Sequence, residues 1–424
     1  MKKIDEDNSR SDYASGPLSG IRVVDLTSVI MGPYATRILG DYGADIIKVE
    51  SPDGDPNRLY KPSRSEDMSG ASLNLNRNKR SLTLDLKRKD GIDVMYRLLR
   101  DADIFIHTLR PKVIQRLGLG YEAVRAINPD IIYCGAYGFS AAGPYGDKAA
   151  YDDLIQAGSG LAALYTRLSG EPAYAPTVLC DKLAGQTIVG AVLAALVQRS
   201  QGGGGQAVEV PMFESAVDFL LVEHLAGATF DPPMGQPGYS RLLTKYRRPY
   251  RARDGYIAVV PYTDRNWIDF FDFAGMPQVM QDPRFKRLAE RGENIEALYE
   301  VLAATVQRFS VDELRQACER HDIPFMAVLD FDDLREDPHS RATRLFTTME
   351  HPTEGTYVSV RQPVTFSQSR FDVRRFAPKR GGDFREVLAE LGYAEAEIET
   401  LGRSHLPKPP APAAEPSFVA GEQS

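Results

Sequence analysis

The chain is poor in the residues that build disulfide frameworks and metal centres. Its 424 residues hold three cysteines, Cys134, Cys180 and Cys318, far apart and each in an apolar setting. That spacing excludes a disulfide scaffold and suggests a reducing compartment. The six histidines form no ligand pair of the HxxxH kind, so no metal is expected. Basic residues are not in excess: 51 Lys and Arg against 58 Asp and Glu leave a net charge of −7, which argues against a nucleic-acid partner. No Gly-x-Gly-x-x-Gly follows the first predicted strand, and no Walker A loop occurs, so a nucleotide cofactor held in either usual way is disfavoured. The longest apolar stretch, residues 188–197, is too short to span a bilayer, and residues 1–16 lack the apolar core of a secretory signal. The expectation is a soluble, cytoplasmic protein with no membrane partner.

What is present is strand–helix alternation. Strands are predicted at residues 21–26, 44–50, 81–86, 104–107, 131–136 and 206–210. Helices are predicted at 33–43, 90–101, 121–128 and 213–225, and a buried one at 183–199. Short connections between them signify an α/β fold with a parallel sheet wrapped by helices. In such sheets ligands sit beyond the carboxyl ends of the strands, which points to the loops after Leu26, Val49, Leu86, His107 and Ala136. The Gly202–Gly205 run reads as a loop rather than a phosphate cradle, because a strand and not a helix follows it. A Gly/Pro-rich linker at 231–238 precedes a second unit, with a strand at 250–259, helices at 266–274, 295–308 and 311–321, and a strand at 325–329. A strand-rich stretch at 345–366 and a helix carrying Phe384, Val387, Leu388 and Leu391 close the body. Residues 1–16 and 404–424 have the composition of disordered tails.

Asp181 stands between an apolar run (Val178, Leu179, Cys180) and the predicted buried helix. A carboxylate at a helix start is favoured by exposed N–H groups and by the positive dipole end, so capping is the plain reading. A carboxylate nucleophile is the sharper one.

The motifs decide between them by resemblance. Gly20-Ile21-Arg22-Val23-Val24-Asp25-Leu26, Gly32-Pro33-Tyr34-Ala35-Thr36 and Gly43-Ala44-Asp45-Ile46-Ile47-Lys48-Val49-Glu50 open the series. Asn76-Arg77-Asn78-Lys79-Arg80-Ser81, Arg110-Pro111, Arg116-Leu117-Gly118, Tyr151-Asp152, Gln156-Ala157, Gly205 to Val210 and Asp337-Pro338-His339 continue it in order. Over residues 17–400 or so the chain resembles the family III CoA-transferases, also called the CaiB–BaiF family. That resemblance implies an aspartate nucleophile thirty residues after the aromatic of the Tyr-Asp element, which falls on Asp181. It implies attack on an acyl-CoA thioester, an aspartyl anhydride, an aspartyl-CoA thioester, and passage of CoA to a free carboxylic acid. An aspartate, ionised at neutral pH with an ordinary pKa of about 4, suits such exchange.

The resemblance also implies contacts to CoA, which is a substrate here and not a bound cofactor. They map to Val29 and Ile30 after the first strand, to Leu84, Asp85, Leu86 and Lys87 at the end of the third, to Thr108, Leu109 and Arg110, and to Arg116. Lys87, Arg110 and Arg116 suit phosphates by charge. A lysine of the formyl-CoA transferases falls on Ala149, which makes the adjacent Lys148 a candidate, and Tyr151 completes the set. Ile30 and Ser51 stand where those enzymes carry Gln and Arg. The implied architecture is a Rossmann-like large domain (17–225), a linker (226–245), a smaller inserted α/β domain (246–338) and a C-terminal segment (339–403) returning to the first. The implied assembly is an interlocked homodimer.

Two alternatives stay open. The α-methylacyl-CoA racemases share the fold but carry a histidine where this chain has Tyr151, and a phenol with an ordinary pKa of about 10 is a poor second base. A non-catalytic CoA-binding protein would use Asp181 only as a cap.

Overall fold

The computed structural model describes residues 16–406; the greater part of the two expected tails lies outside the described residues. Six strands, β1 (Arg22–Leu26), β2 (Asp45–Glu50), β3 (Lys79–Thr83), β4 (Ile104–His107), β5 (Ile132–Tyr137) and β6 (Gln206–Pro211), form one sheet ordered β3-β2-β1-β4-β5-β6. Every neighbouring pair is parallel. A parallel sheet is covered on both faces, and alternate residues divide between them. Val23, Ile46, Ile104, Ile106 and Cys134 join one core with helices Met31–Asp41, Leu179–Gln198 and Met212–His224. Val24, Ile47, Leu82, Phe105 and Tyr133 join the other, with helices Lys89–Arg100, Phe384–Glu390 and Glu395–His405. The α/β class is as expected.

Several boundaries move for identifiable reasons. β3 ends at Thr83 and not at residue 86, because the Asp85 side chain turns back to accept from the Lys87 N–H at 3.0 Å. Leu84 to Lys87 are therefore loop, not strand end. The helix expected from residue 183 begins at Leu179, and its continuation to Gly203 is long and apolar enough, by length and composition, to cross a bilayer. It is longer than the apolar run 188–197 suggested, yet Cys180, Ala184, Ile188, Val192 and Ala195 on it are packed into the sheet core. The helix ending at Glu390 does not close the body. Glu395–His405 follows, and fully buried His405 lies inside what read as a disordered tail.

A second hydrophobic core surrounds an antiparallel sheet of β7 (Tyr250–Arg251), β8 (Tyr256–Val259) and β9 (Phe325–Ala327). Trp267, Phe270, Phe271, Leu298, Leu302 and Leu314 fill it from helices Asp264–Phe273, Ile295–Val306 and Val311–His321. Thr263 and Ser310 start two of these helices with reciprocal capping boxes. A hairpin of β10 (Phe346–His351) and β11 (Gly355–Val360) leads back to the first sheet.

Beneath the carboxyl ends of β1–β3 lies a buried ionic lattice. Lys48 Nζ donates to Asp55 Oδ2 at 2.9 Å and to the Thr27 carbonyl at 2.8 Å. Lys79 Nζ reaches Asp25 Oδ2, the Pro33 carbonyl and Thr36 Oγ1 at 2.8–3.1 Å. Burial works against the Asp25 carboxylate, but these two ammoniums and the Thr27 and Thr36 hydroxyls outweigh it and hold its pKa down at about 2. Lys79 is itself brought down to about 8, mainly by burial. Such pairs are tolerable only when every member is satisfied.

Candidate active site

A cavity of about 930 Å³ opens beyond the carboxyl ends of β1 to β4, where the strand order reverses. Its walls are Leu26, Thr27 and Ser28 after β1, Val49 to Ser51 and Asp55 after β2, residues 84–89 after β3, and Leu109, Val113 and Arg116 after β4. Leu84, Asp85, Leu86, Lys87, Leu109 and Arg116, all named from sequence, are thus brought together. Val29, Ile30, Thr108 and Arg110 sit in the same loops but do not form the wall. Thr108 Oγ1 accepts from the Ser28 N–H at 3.3 Å, and Arg110 Nη1 donates to the Asp147 carbonyl at 3.2 Å. Lys148 is not brought to this cavity; its ammonium lies 3.6 Å from the Tyr145 ring centre.

The β1 loop is held in a conformation its sequence would not choose. Val29 has φ of 69°, unusual for a β-branched residue. Asp55 Oδ1 accepts from the Val29 N–H at 2.9 Å, and Asn57 Nδ2 donates to the Val29 carbonyl at 2.9 Å. Lys48 steadies Asp55 from below, so the buried lattice shapes the cavity's first wall.

Asp181 is the third residue of helix Leu179–Gln198, after Val178 at the N-cap, and its side chain caps nothing. The capping expectation is corrected: the free N–H of Asp181 is met by Asp152 Oδ1 at 2.9 Å. Asp152, buried at the start of helix Asp152–Gly158, is fixed through its other oxygen by Gln156 Nε2 at 2.6 Å. Gln156 Oε1 accepts from the Ala175 N–H at 2.8 Å, which ties down the segment leading to Asp181. Tyr151, the N-cap residue of that helix, is two-thirds exposed. One turn beyond Asp181, a Cβ on Gly185 would lie 2.9 Å from the Met31 carbonyl. This close approach docks the helix against Met31–Asp41, the helix that leads out of the β1 loop.

Asp181 is 9% exposed. Burial first, and repulsion by Asp152 second, push its pKa from 3.8 up to about 7, with Lys182 opposing. The expectation of an ordinary ionised carboxylate is therefore corrected. The adjacent Cys180 thiol is pushed up to about 12, chiefly by burial, which rules it out as a nucleophile near neutral pH. The pKa of the Tyr60 hydroxyl is raised by burial and then by Asp55 in the cavity wall, by Asp181 and by Tyr151.

Comparison with known proteins bears on this arrangement. The model of CoA-transferase family III matches residues 18–384. This chain belongs to that family. The CoA-transferase is 30% identical over 399 residues to a succinate–glutarate CoA-transferase of Agrobacterium fabrum, covering 92% of this chain and 98% of that one. It is 29% identical over 418 residues to a formyl-CoA:oxalate CoA-transferase of Escherichia coli O6:H1, covering 92% and 99%. A CAIB/BAIF family protein from Brucella suis superposes with a TM-score of 0.76 at 27% identity, over 89% of this chain and all of that one.

Sequence reasoning assigned no role to Asp152, Gln156, Tyr60 or Asp55 in this CoA-transferase. Asp152 and Gln156 were visible as motif residues, four apart as one helix face requires, and that spacing was the available signal. Nothing local marks Tyr60 or Asp55.

Proposed function

We propose that this CoA-transferase passes CoA from an acyl-CoA thioester to a free carboxylic acid through covalent intermediates on Asp181. The observation that carries this reading is Asp181 itself: nearly buried, with its N–H held by Asp152, in a chain whose separate cavity at the strand ends is lined by the cations Lys87 and Arg116. An ionised Asp181 oxygen attacks the thioester carbonyl, the C–S bond breaks, and CoA thiolate leaves an aspartyl anhydride. The thiolate attacks the aspartyl carbonyl and expels the first acid as carboxylate, leaving aspartyl-CoA thioester. The acceptor carboxylate repeats the sequence in reverse and restores Asp181. No proton moves in the net reaction, so the ionised Asp181 needs no base for the attack. Burial serves the attack, since a poorly solvated carboxylate is a stronger nucleophile.

Lys87 and Arg116 are assigned to the CoA phosphates, with Leu84, Leu86 and Leu109 as the apolar wall. CoA is substrate, with no permanently bound cofactor. The names of the relatives direct the first assays to succinyl-CoA with glutarate; Ile30 and Ser51 make formyl-CoA the less favoured donor. An interlocked homodimer with an inserted domain and a cytoplasmic setting complete the reading. Exposed Val197, Phe219 and Val222 on the helices outside the sheet support an assembly that covers them.

Incubation with acyl-CoA followed by hydroxylamine is expected to leave a hydroxamate on the Asp181 peptide, seen by mass spectrometry. Asp181→Ala is expected to fold, give no hydroxamate and transfer nothing; full turnover by that variant would overturn the mechanism. Exchange of the α-proton of a 2-methylacyl-CoA into deuterated water would favour a racemase instead.

A further inference from the structure

His405 lies beyond the residues matched by the family model, at the end of the last described helix, and is fully buried. Its ring meets the cavity wall formed by residues 84–89. Nδ1 accepts from the Asp85 N–H at 3.0 Å, and Nε2 stands 3.4 Å from Asp90 Oδ1. The loop is otherwise held mostly by itself. The Arg88 N–H returns to the Asp85 carbonyl at 3.1 Å and the Lys87 N–H to the Asp85 carboxylate at 3.0 Å. The Leu84 N–H, bonded to the Glu50 carbonyl at 2.8 Å, is its tie to β2. The turn is also tight. A Cβ on Gly91 would come within 2.4 Å of the Asp85 carbonyl and 3.2 Å of the His405 ring.

We infer that His405 is a positioning residue for CoA binding: neutral, with its proton on Nε2, it holds the Asp85 amide and so fixes the loop that presents Lys87. This rests on reading the cavity as the CoA site. A ring nitrogen can accept only while it carries no proton. Protonation would set Nδ1–H against the Asp85 N–H, two donors face to face, and the wall would have to move. The charged groups facing the ring are Asp90 on the Lys89–Arg100 helix and Asp85 and Arg88 in the loop. Burial and Arg88 lower the pKa of His405, while Asp90 and Asp85 raise it. The net shift is downward, so the contact is intact at neutral pH and is lost on the acid side of the usual histidine range.

The experiment measures CoA affinity by titration calorimetry on the full-length enzyme from pH 4 to 8, with two variants. His405→Leu keeps the space filled but leaves the Asp85 N–H unmet, and is expected to weaken CoA binding about tenfold at pH 8, with the loss appearing in KM rather than kcat. His405→Asn places an oxygen near the Nδ1 position and cannot titrate, so it is expected to restore binding to within about threefold. Its affinity relative to wild type is expected to improve as pH falls, the titration of CoA itself cancelling in the ratio. Equal CoA affinity in wild type and His405→Leu, or a wild-type to Asn ratio constant across the range, would overturn the inference. Should the Leu variant not fold, the Asn ratio decides. A wild-type enzyme that binds no CoA would overturn the cavity assignment itself, before any substitution is compared.

Discussion

Replacing Asp181 by Asn separates the nucleophile's chemistry from its effect on stability. The side chains are nearly isosteric, but Asn never ionises. In the folded protein the Asp181 pKa stands at about 7 against an ordinary 3.8, because the carboxylate is buried and faces Asp152. At 1.36 kcal/mol per pH unit, the native state holds this proton more tightly by about 4 kcal/mol. Below pH 3.8 both folded and unfolded chains carry the proton, and the group is silent. As pH rises the unfolded chain ionises first, so native stability falls. The fall ends once the folded carboxyl also ionises, above pH 7. Asn escapes that loss. The variant should be more stable by about 2 kcal/mol at pH 5 and about 4 kcal/mol at pH 8.5, the second figure being an upper bound. With an unfolding entropy of about 2.1 cal/mol/K per residue, this corresponds to a rise of about 4–5 °C in melting temperature. Calorimetric melts of both proteins at pH 5, 6.5 and 8.5 read it directly. A variant that melts at or below the parent at pH 8.5, or an advantage that does not widen between pH 5 and 8.5, would refute the account of Asp181 as a strained, buried carboxyl.

Other expectations follow from the same contacts. The rate of hydroxamate trapping should climb with pH and level off above about 7, as Asp181 ionises. Asp152→Asn still offers an acceptor to the Asp181 N–H but removes the neighbouring charge, so the midpoint should move to lower pH; an unmoved midpoint would remove Asp152 from the explanation. Lys48→Met strips the buried cation from Asp55 and should cost about 3–5 kcal/mol in urea unfolding, with a loss below about 1 kcal/mol counting against the lattice as a support of the β1 loop.

The sheet was legible because parallel strands buried on both faces are written as runs such as Val23-Val24 and Ile46-Ile47. The cavity's place followed from topology, since the loops after β1, β2, β3 and β4 must gather at one end. What the sequence hid was burial of charge. Arg77, Asn78, Lys79 and Arg80 stood out only as a motif, with nothing local to mark them as interior, yet all four are buried. Arg77 is claimed by Asp41 at 2.7 Å and Lys79 by Asp25 at 3.1 Å, partners far away in the chain. Asp181 was found by motif spacing, but its raised pKa is a property of what surrounds it. Local pattern placed its helix too late because Leu179 and Cys180 read as part of a separate apolar run ahead of it. His405 was lost to a tail for a similar reason: its partner, the Asp85 amide, lies 320 residues earlier.

The chain between β5 and β6 makes a long excursion, residues 138–205, before pairing with its immediate neighbour in the sheet. That excursion holds Asp152, Gln156 and Asp181, whereas the cavity loops come from the first four strands. Under the proposed division of labour, grip on the common handle and reactivity toward the variable acid are encoded in separate stretches of the gene. Lineages could then recombine or drift in the second stretch, trying new acids, without relearning how to hold the thioester.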